Sequence, residues 1–178
     1  MLIRSLTTTD AALYHPLRLR ALREHPEAFA PAFEEEQQLP LETIARRLQQ
    51  PSAERYVLGT FEEEELRGLL HFHRWEGLKI RHRASIGGMY VPPEYQGRGI
   101  GKRLLLEALA RARTVRGLED LILAVTVGNE RARALYLAAG FRTVTREPRY
   151  LKIGEEYFDI EWMHLSVNRE QSDSEETS

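Results

Sequence analysis

The chain has 178 residues, a formal net charge of −2 and no cysteine. That length suits one domain with its own core, and the missing thiols exclude a disulfide scaffold, a thiolate zinc site and any intermediate held on a cysteine. The near-neutral charge leaves no footprint for nucleic acid, and with no signal-like segment and no apolar run near twenty residues, neither export nor a membrane span is expected; a cytoplasmic protein is the default.

In chain order, Leu2 to Leu6 reads as a first strand, and Thr9-Asp10 can cap a helix that runs to about Glu24 with Leu13, Leu17 and Leu22 on one side. Pro26 and Pro31 mark a short irregular link carrying Phe29 and Phe33, after which Leu41, Ile44, Ala45 and Leu48 repeat at helical spacing until Pro51. Tyr56 to Thr60 and Leu66 to Trp75 read as two strands joined across the acidic turn Glu62 to Glu65. Ala84 to Val91 is a further strand with Gly87-Gly88 inside it, which marks a bulge or a close backbone approach. A long helix follows from Lys102 to about Arg116, facing Leu104, Leu105, Ala108, Leu109 and Ala112 inward. Leu121 to Val127 is the next strand. Two closing strands, Phe141 to Arg146 and Tyr157 to Leu165, are joined by the polar link Glu147 to Glu156. Residues 1–168 form one expected domain. Residues 169–178, with one Arg against four acidic residues and nothing apolar to bury, form an acidic tail expected to be disordered and given no function.

Two segments carry chemistry. The first, Val91-Pro-Pro-Glu-Tyr-Gln96-Gly97-Arg98-Gly99-Ile100-Gly101-Lys102, passes from a strand through a glycine-rich turn into an amphipathic helix. Backbone amides converging in such a turn, together with the positive end of the helix dipole, favour a pyrophosphate. A P-loop is excluded, because Gln96 stands where its first glycine belongs and Arg103 where its Ser or Thr belongs. A dinucleotide fingerprint is excluded by Lys102 at its third glycine and by the motif's position past mid-chain.

The second segment runs from Gly128-Asn129-Glu130 through Tyr136 to Gly140-Phe141. Asn129 is a good N-cap, Glu130 suits a first turn, and Gly140 is placed at C′ to end the helix.

Gln-x-x-Gly-x-Gly after a Val-x-Pro strand end, then Asn with Tyr seven residues on and Gly-Phe beyond, resembles the bacterial type of the GNAT (GCN5-related) N-acetyltransferase superfamily. The order of elements resembles that family over nearly the whole domain. The words Leu19-Arg20-Ala21-Leu22 and Pro26-Glu27-Ala28-Phe29 are a weaker likeness. The resemblance implies an α/β (α+β mixed sheet) fold: a twisted seven-stranded mixed sheet flanked by about four helices. An antiparallel meander comes first, and the sheet splits between strands four and five.

It also implies direct transfer of an acetyl group from acetyl-CoA to a primary amine, with no metal. The cofactor would meet Met89, Tyr90 and Val91 as though it were an added strand, and the Met89 amide would bind the thioester carbonyl. Gln96, Gly97, Arg98, Gly99, Ile100, Gly101 and Lys102 would hold the pyrophosphate, Arg103 would add charge, and Asn129 would bond the pantetheine arm. Tyr136 would be the general acid toward the departing sulfur, its hydroxyl being protonated at neutral pH.

Other roles stay open. Ribosomal-protein N-terminal acetyltransferases carry a catalytic glutamate five residues before the Asn, where this chain has Ala124. That departure argues against a protein N-terminus as acceptor. The base could instead be Glu35, Glu36, His71, His73 or an ordered water. His71 and His73 share one strand face, and no further ligand completes a metal site. Glu34 to Glu36 is either a solvated face or a lure for a cationic amine. In the family the acceptor lies between the first helix-to-helix link and the loop joining the last two strands, here Pro26 to Pro40 and Glu147 to Glu156. Phe29, Phe33, Glu35, His71, His73 and Tyr150 are therefore the candidate acceptor residues. A small-molecule amine is the expected partner and a homodimer is possible; the alternatives are a non-catalytic CoA sensor or a protein N-terminal or lysine acetyltransferase.

Overall fold

The structure, a computed structural model, describes residues 1–167; the acidic tail lies outside them. Seven strands form one sheet: β1 (Leu2–Ser5), β2 (Arg55–Glu62), β3 (Glu65–Arg74), β4 (Arg83–Tyr90), β5 (Asp120–Thr126), β6 (Arg142–Ile153) and β7 (Glu156–Ser166). Their spatial order is β1-β2-β3-β4-β5-β7-β6, and every neighbouring pair is antiparallel except β4 and β5. The helices are α1 (Ala11–Glu24), α2 (Phe33–Glu36), α3 (Leu41–Arg47), α4 (Ile100–Ala112) and α5 (Glu130–Ala138).

Helices cover both faces because the central strands are apolar on both. On β3, Leu70 and Phe72 face α4, whose Leu104, Leu105 and Ala108 are fully buried against the sheet. Leu69 faces the other way, toward Tyr14, Leu17 and Ala21 of α1 and Ile44 of α3. The α4 stripe is the one its sequence spacing predicts. The helix starts two residues earlier than expected, because Ile100 is itself a core residue and Gly99 supplies a left-handed cap at φ +76°.

Three expectations change. Leu13 is exposed, whereas Leu17 and Leu22 are buried as expected and α1 buries Tyr14 and Arg18 beside them, so the inward stripe is centred away from Leu13. The segment Glu147 to Glu156 is almost all strand, a hairpin turning at Gly154, with an irregularity between Glu147 and Leu151 where Arg149 takes φ +57°. Its residues are mostly exposed, so no apolar alternation marks it. Among the glutamates, Glu36 is buried while Glu34 and Glu35 face water.

The sheet splits where Gly87-Gly88 lies. Leu69 pairs with Tyr90 and His71 with Gly87, so a single residue of β3 opposes two of β4, a bulge at Gly88-Met89. Gly88 sits at φ +58°, and a Cβ there would stand 2.9 Å from the His71 ring. Both the backbone angle and the space require glycine. β4 pairs with β5 only from Arg83 to Ser85, whereas β5 continues along β7 as far as Thr126. The last residues of β4 therefore diverge from β5 and leave a cleft.

Candidate functional site

A cavity of about 450 Å³ occupies the wide end of this split. Met89, Tyr90 and Val91 reach it from the end of β4, and Gln96, Gly97 and Gly99 from the turn. Ile100, Gly101 and Lys102 come from the first turn of α4, and Asn129 from the cap of α5. The glycine turn is closed by side chains: Gln96 donates to the Val91 carbonyl at 2.8 Å and accepts from Arg131. Gly97 and Gly99 both lie at φ +76° with open space where a Cβ would be, so the constraint there is backbone conformation. No side chain caps the N-terminus of α4, whose first amides stay available beside the Lys102 ammonium.

Asn129 caps α5 as its sequence position predicts, its Oδ1 accepting from the Ala132 amide at 3.1 Å. The far end of α5 is closed by Gly140 at φ +97°, with the Phe141 amide donating to the Tyr136 carbonyl and the Gly140 amide to Leu137, each at 3.0 Å. This closure sets Tyr136 edge-on to Phe141, ring centroids 6.0 Å apart.

Three of the predicted cofactor residues, Arg98, Arg103 and Tyr136, stand apart from the cavity wall. Arg98 turns away to pair with Glu62 at 2.8 Å. Tyr136 is buried in the core cluster against which the wall residues Ala132 and Leu135 pack, and burial alone pushes its hydroxyl pKa up to about 12. Sequence reasoning missed His25, Ala28, Tyr95, Arg131, Ala132 and Leu135 on the wall, although the last four lie within the two segments it singled out.

A second cavity, of about 570 Å³, lies between α1, α2, α3, β2 and β3. His71 and His73 both line it, with Tyr14, Arg18, Glu36 and Arg47. Tyr14 Oη and His71 Nε2 are 3.2 Å apart, and Arg47 donates to Glu36 at 2.7 Å. Phe29 lies under the Arg18 guanidinium, 4.9 Å from the ring centroid. The other candidate acceptor residues lie apart: Phe33 packs under Arg23, Glu35 is exposed, and Tyr150 meets Trp162 edge to face on the β6–β7 hairpin. Among the described residues no group of three His, Cys, Asp or Glu could hold a metal ion, and no helix is long and apolar enough to cross a membrane.

His71 is held neutral. Burial, then Arg18 and Arg47, lowers its pKa to about 3. The unfolded chain takes up a proton near pH 6.5 that the native state refuses, so stability falls as pH drops from about 6.5 toward 3, by at most about 1.4 kcal/mol per unit. Thermal unfolding between pH 7.5 and 4.5 should therefore fall more steeply for the parent than for His71→Gln, and equal slopes would contradict a neutral His71.

Comparison with known proteins follows from this geometry. A mycothiol acetyltransferase of Thermobispora bispora is 32% identical over 147 residues, which is 79% of this chain and 46% of that protein. The chain thus spans under half the length of this curated relative. Among solved structures, a GNAT-family acetyltransferase from Streptococcus pneumoniae superposes with a TM-score of 0.80 at 24% identity, covering 93% of this chain and 98% of that one. The structure of yncA from Salmonella typhimurium, with its cofactor acetyl-CoA, superposes with a TM-score of 0.75 at 22% identity, covering 94% of each chain. These two likenesses concern the fold, down to the single parallel pair at the split. The sequence model described as the Acetyltransferase (GNAT) family matches residues 19–141, from α1 through the glycine turn to the end of α5, and the chain belongs to that family.

Proposed function

We propose that the protein is an acetyl-CoA-dependent N-acetyltransferase that moves the acetyl group directly to a primary amine of a small molecule. The observation that carries this reading is that the Gln96 to Lys102 turn and the Asn129 cap, from separate parts of the chain, wall one cavity beside the unpaired end of β4.

In this reading the pyrophosphate of acetyl-CoA rests on the amides of the turn and of the α4 N-terminus, with Lys102 adding charge. Asn129 bonds the pantetheine arm, which lies along Met89 to Val91 as an extra strand would. The amine nitrogen attacks the thioester carbonyl, whose oxygen gathers charge against the Met89 amide. The carbon–sulfur bond then breaks, and Tyr136 donates its hydroxyl proton toward the leaving thiolate. The proton lost by the amine needs its own route. Glu36 is tied to Arg47, and His71 is too weakly basic at neutral pH, so an ordered water leading outward is favoured over either.

Calorimetry with acetyl-CoA, followed by free CoA release on a panel of amines, tests the proposal. Binding with release on at least one amine is the expected result; tight binding with no release on any would favour a CoA sensor, the reading that Ala124 in place of a catalytic glutamate keeps in view. Gly101→Ala checks the cofactor pose. A Cβ there would have Leu135 at 3.7 Å, Val91 at 3.9 Å and the Met89 sulfur at 4.0 Å, which is ordinary contact. Alanine also favours a helix over glycine by about 1 kcal/mol. Stability should hold or rise while acetyl-CoA affinity drops roughly tenfold, because the methyl enters the cavity among three of its wall residues.

A further inference from the structure

Four charged side chains are buried among the described residues: Asp10, Arg18, Glu36 and Arg74. Three have a counter-ion. Asp10 takes a two-pronged pair from Arg4 at 2.7 Å, Glu36 takes Arg47 at 2.7 Å, and Arg74 donates to Glu54 at 2.6 Å. Arg18 has none. It is 5% exposed, its Nη1 is shut off from solvent with no hydrogen-bond partner, and it lines the 570 Å³ cavity.

A buried guanidinium without an anion is costly, and its stacking on Phe29 offsets only part of that cost while leaving Nη1 unsatisfied. The surroundings are arranged for a single negative charge. Arg18, Arg47 and Arg55 face Glu36 and Glu76 around the cavity, a net charge of about +1, with Glu36 already engaged by Arg47 and both Tyr14 and His71 neutral. A planar carboxylate matches a guanidinium in shape, and a monoanion matches the net charge better than a phosphate dianion does. The cavity also adjoins the reaction centre. His71, one of its walls, lies directly behind Gly88, where even a Cβ would strike the ring.

We propose that this cavity binds the carboxylate of the acceptor on Arg18, so that the acceptor is an amino-acid-like primary amine whose nitrogen reaches past His71 to the bulge. This rests on the acetyltransferase reading above and narrows its substrate class. Arg18 acts here by binding, and Phe29 supports its guanidinium as a flat apolar floor.

The test compares free amino acids with their carboxamides in the CoA-release assay on the parent protein. The free acids should be favoured about 10²-fold in kcat/KM, the scale of one charge-assisted hydrogen-bonded contact in a closed site. In Arg18→Met that preference should collapse toward unity. A second measurement needs no turnover: pentanoate should bind the parent in calorimetry, while pentanamide, and pentanoate with Arg18→Met, should not. Acids and amides used equally by the parent, or pentanoate bound equally by the variant, would overturn the proposal, as would inorganic phosphate displacing pentanoate at lower concentration than a second carboxylate. If no amine releases CoA yet pentanoate binds in an Arg18-dependent manner, the acetyltransferase reading fails and the carboxylate site stands. If Arg18→Met does not fold, the acid-to-amide comparisons on the parent decide alone.

Discussion

Tyr136→Phe is expected to lower turnover by about 10²-fold while leaving acetyl-CoA affinity close to that of the parent. The reason lies in what the substitution removes. Tyr136 is wedged on α5 by the turn through Gly140 and by its edge contact with Phe141, and a phenylalanine ring keeps both. Only the hydroxyl is lost. Because burial lifts that hydroxyl to about pKa 12, it stays protonated throughout the working range, so the role proposed for it is that of donor to the departing sulfur and never that of base. Any alkaline limb in the pH–rate profile below about pH 11 must then belong to another group, such as the acceptor amine. Tyr136 stands apart from the cavity wall, so the competing view is that it is a core aromatic only. That view predicts unchanged turnover with unchanged stability, and single-turnover CoA release on a validated acceptor, paired with a melting curve, separates the two.

What was legible in the sequence was whatever a local backbone conformation demands of its residues. Gly97, Gly99 and Gly140 take positive φ, Asn129 caps a helix through its own side chain, and Gly88 carries a bulge; each is a requirement met within a few positions of chain. The apolar periods of α4 and β3 were legible for the same reason. The start of β6 was legible too, but its continuation from Glu147 to Ile153 was not, because those side chains stay largely exposed and their pairing with β7 is a property of two strands, invisible in one. Nor was Arg18. On α1 the leucines suggested the inward face, yet that face bears an arginine, and only the packing of α1 against α3 and β3 encloses it beside His71 and Arg47. The donor side of the site is thus built from signals each local to one turn or cap. The proposed acceptor side is assembled from residues of five elements, and no single stretch announces it.

The heaviest demand on one residue falls at Gly88, and Gly88→Ala is expected to cost about 2–4 kcal/mol. A left-handed alanine accounts for about 1–2 kcal/mol, and forcing a methyl to 2.9 Å from the His71 ring for about 1–2 kcal/mol more. In a domain of this size that corresponds to a fall of roughly 5–15 °C in melting temperature. The two contributions can be separated. In a His71→Ala background the methyl has room, so the same substitution should cost only its backbone share, a coupling of about 1–2 kcal/mol between the sites. An undiminished cost in that background would show that sterics against His71 play no part. Activity should follow the bulge. If Gly88→Ala relaxes by flattening it, the Met89 amide moves off the thioester carbonyl and turnover drops about 10²-fold, the usual loss for one misplaced oxyanion donor. Restoring room at residue 71 should then recover turnover together with stability, because the bulge, with Gly88 at φ +58°, can form again and return the Met89 amide to its proposed place.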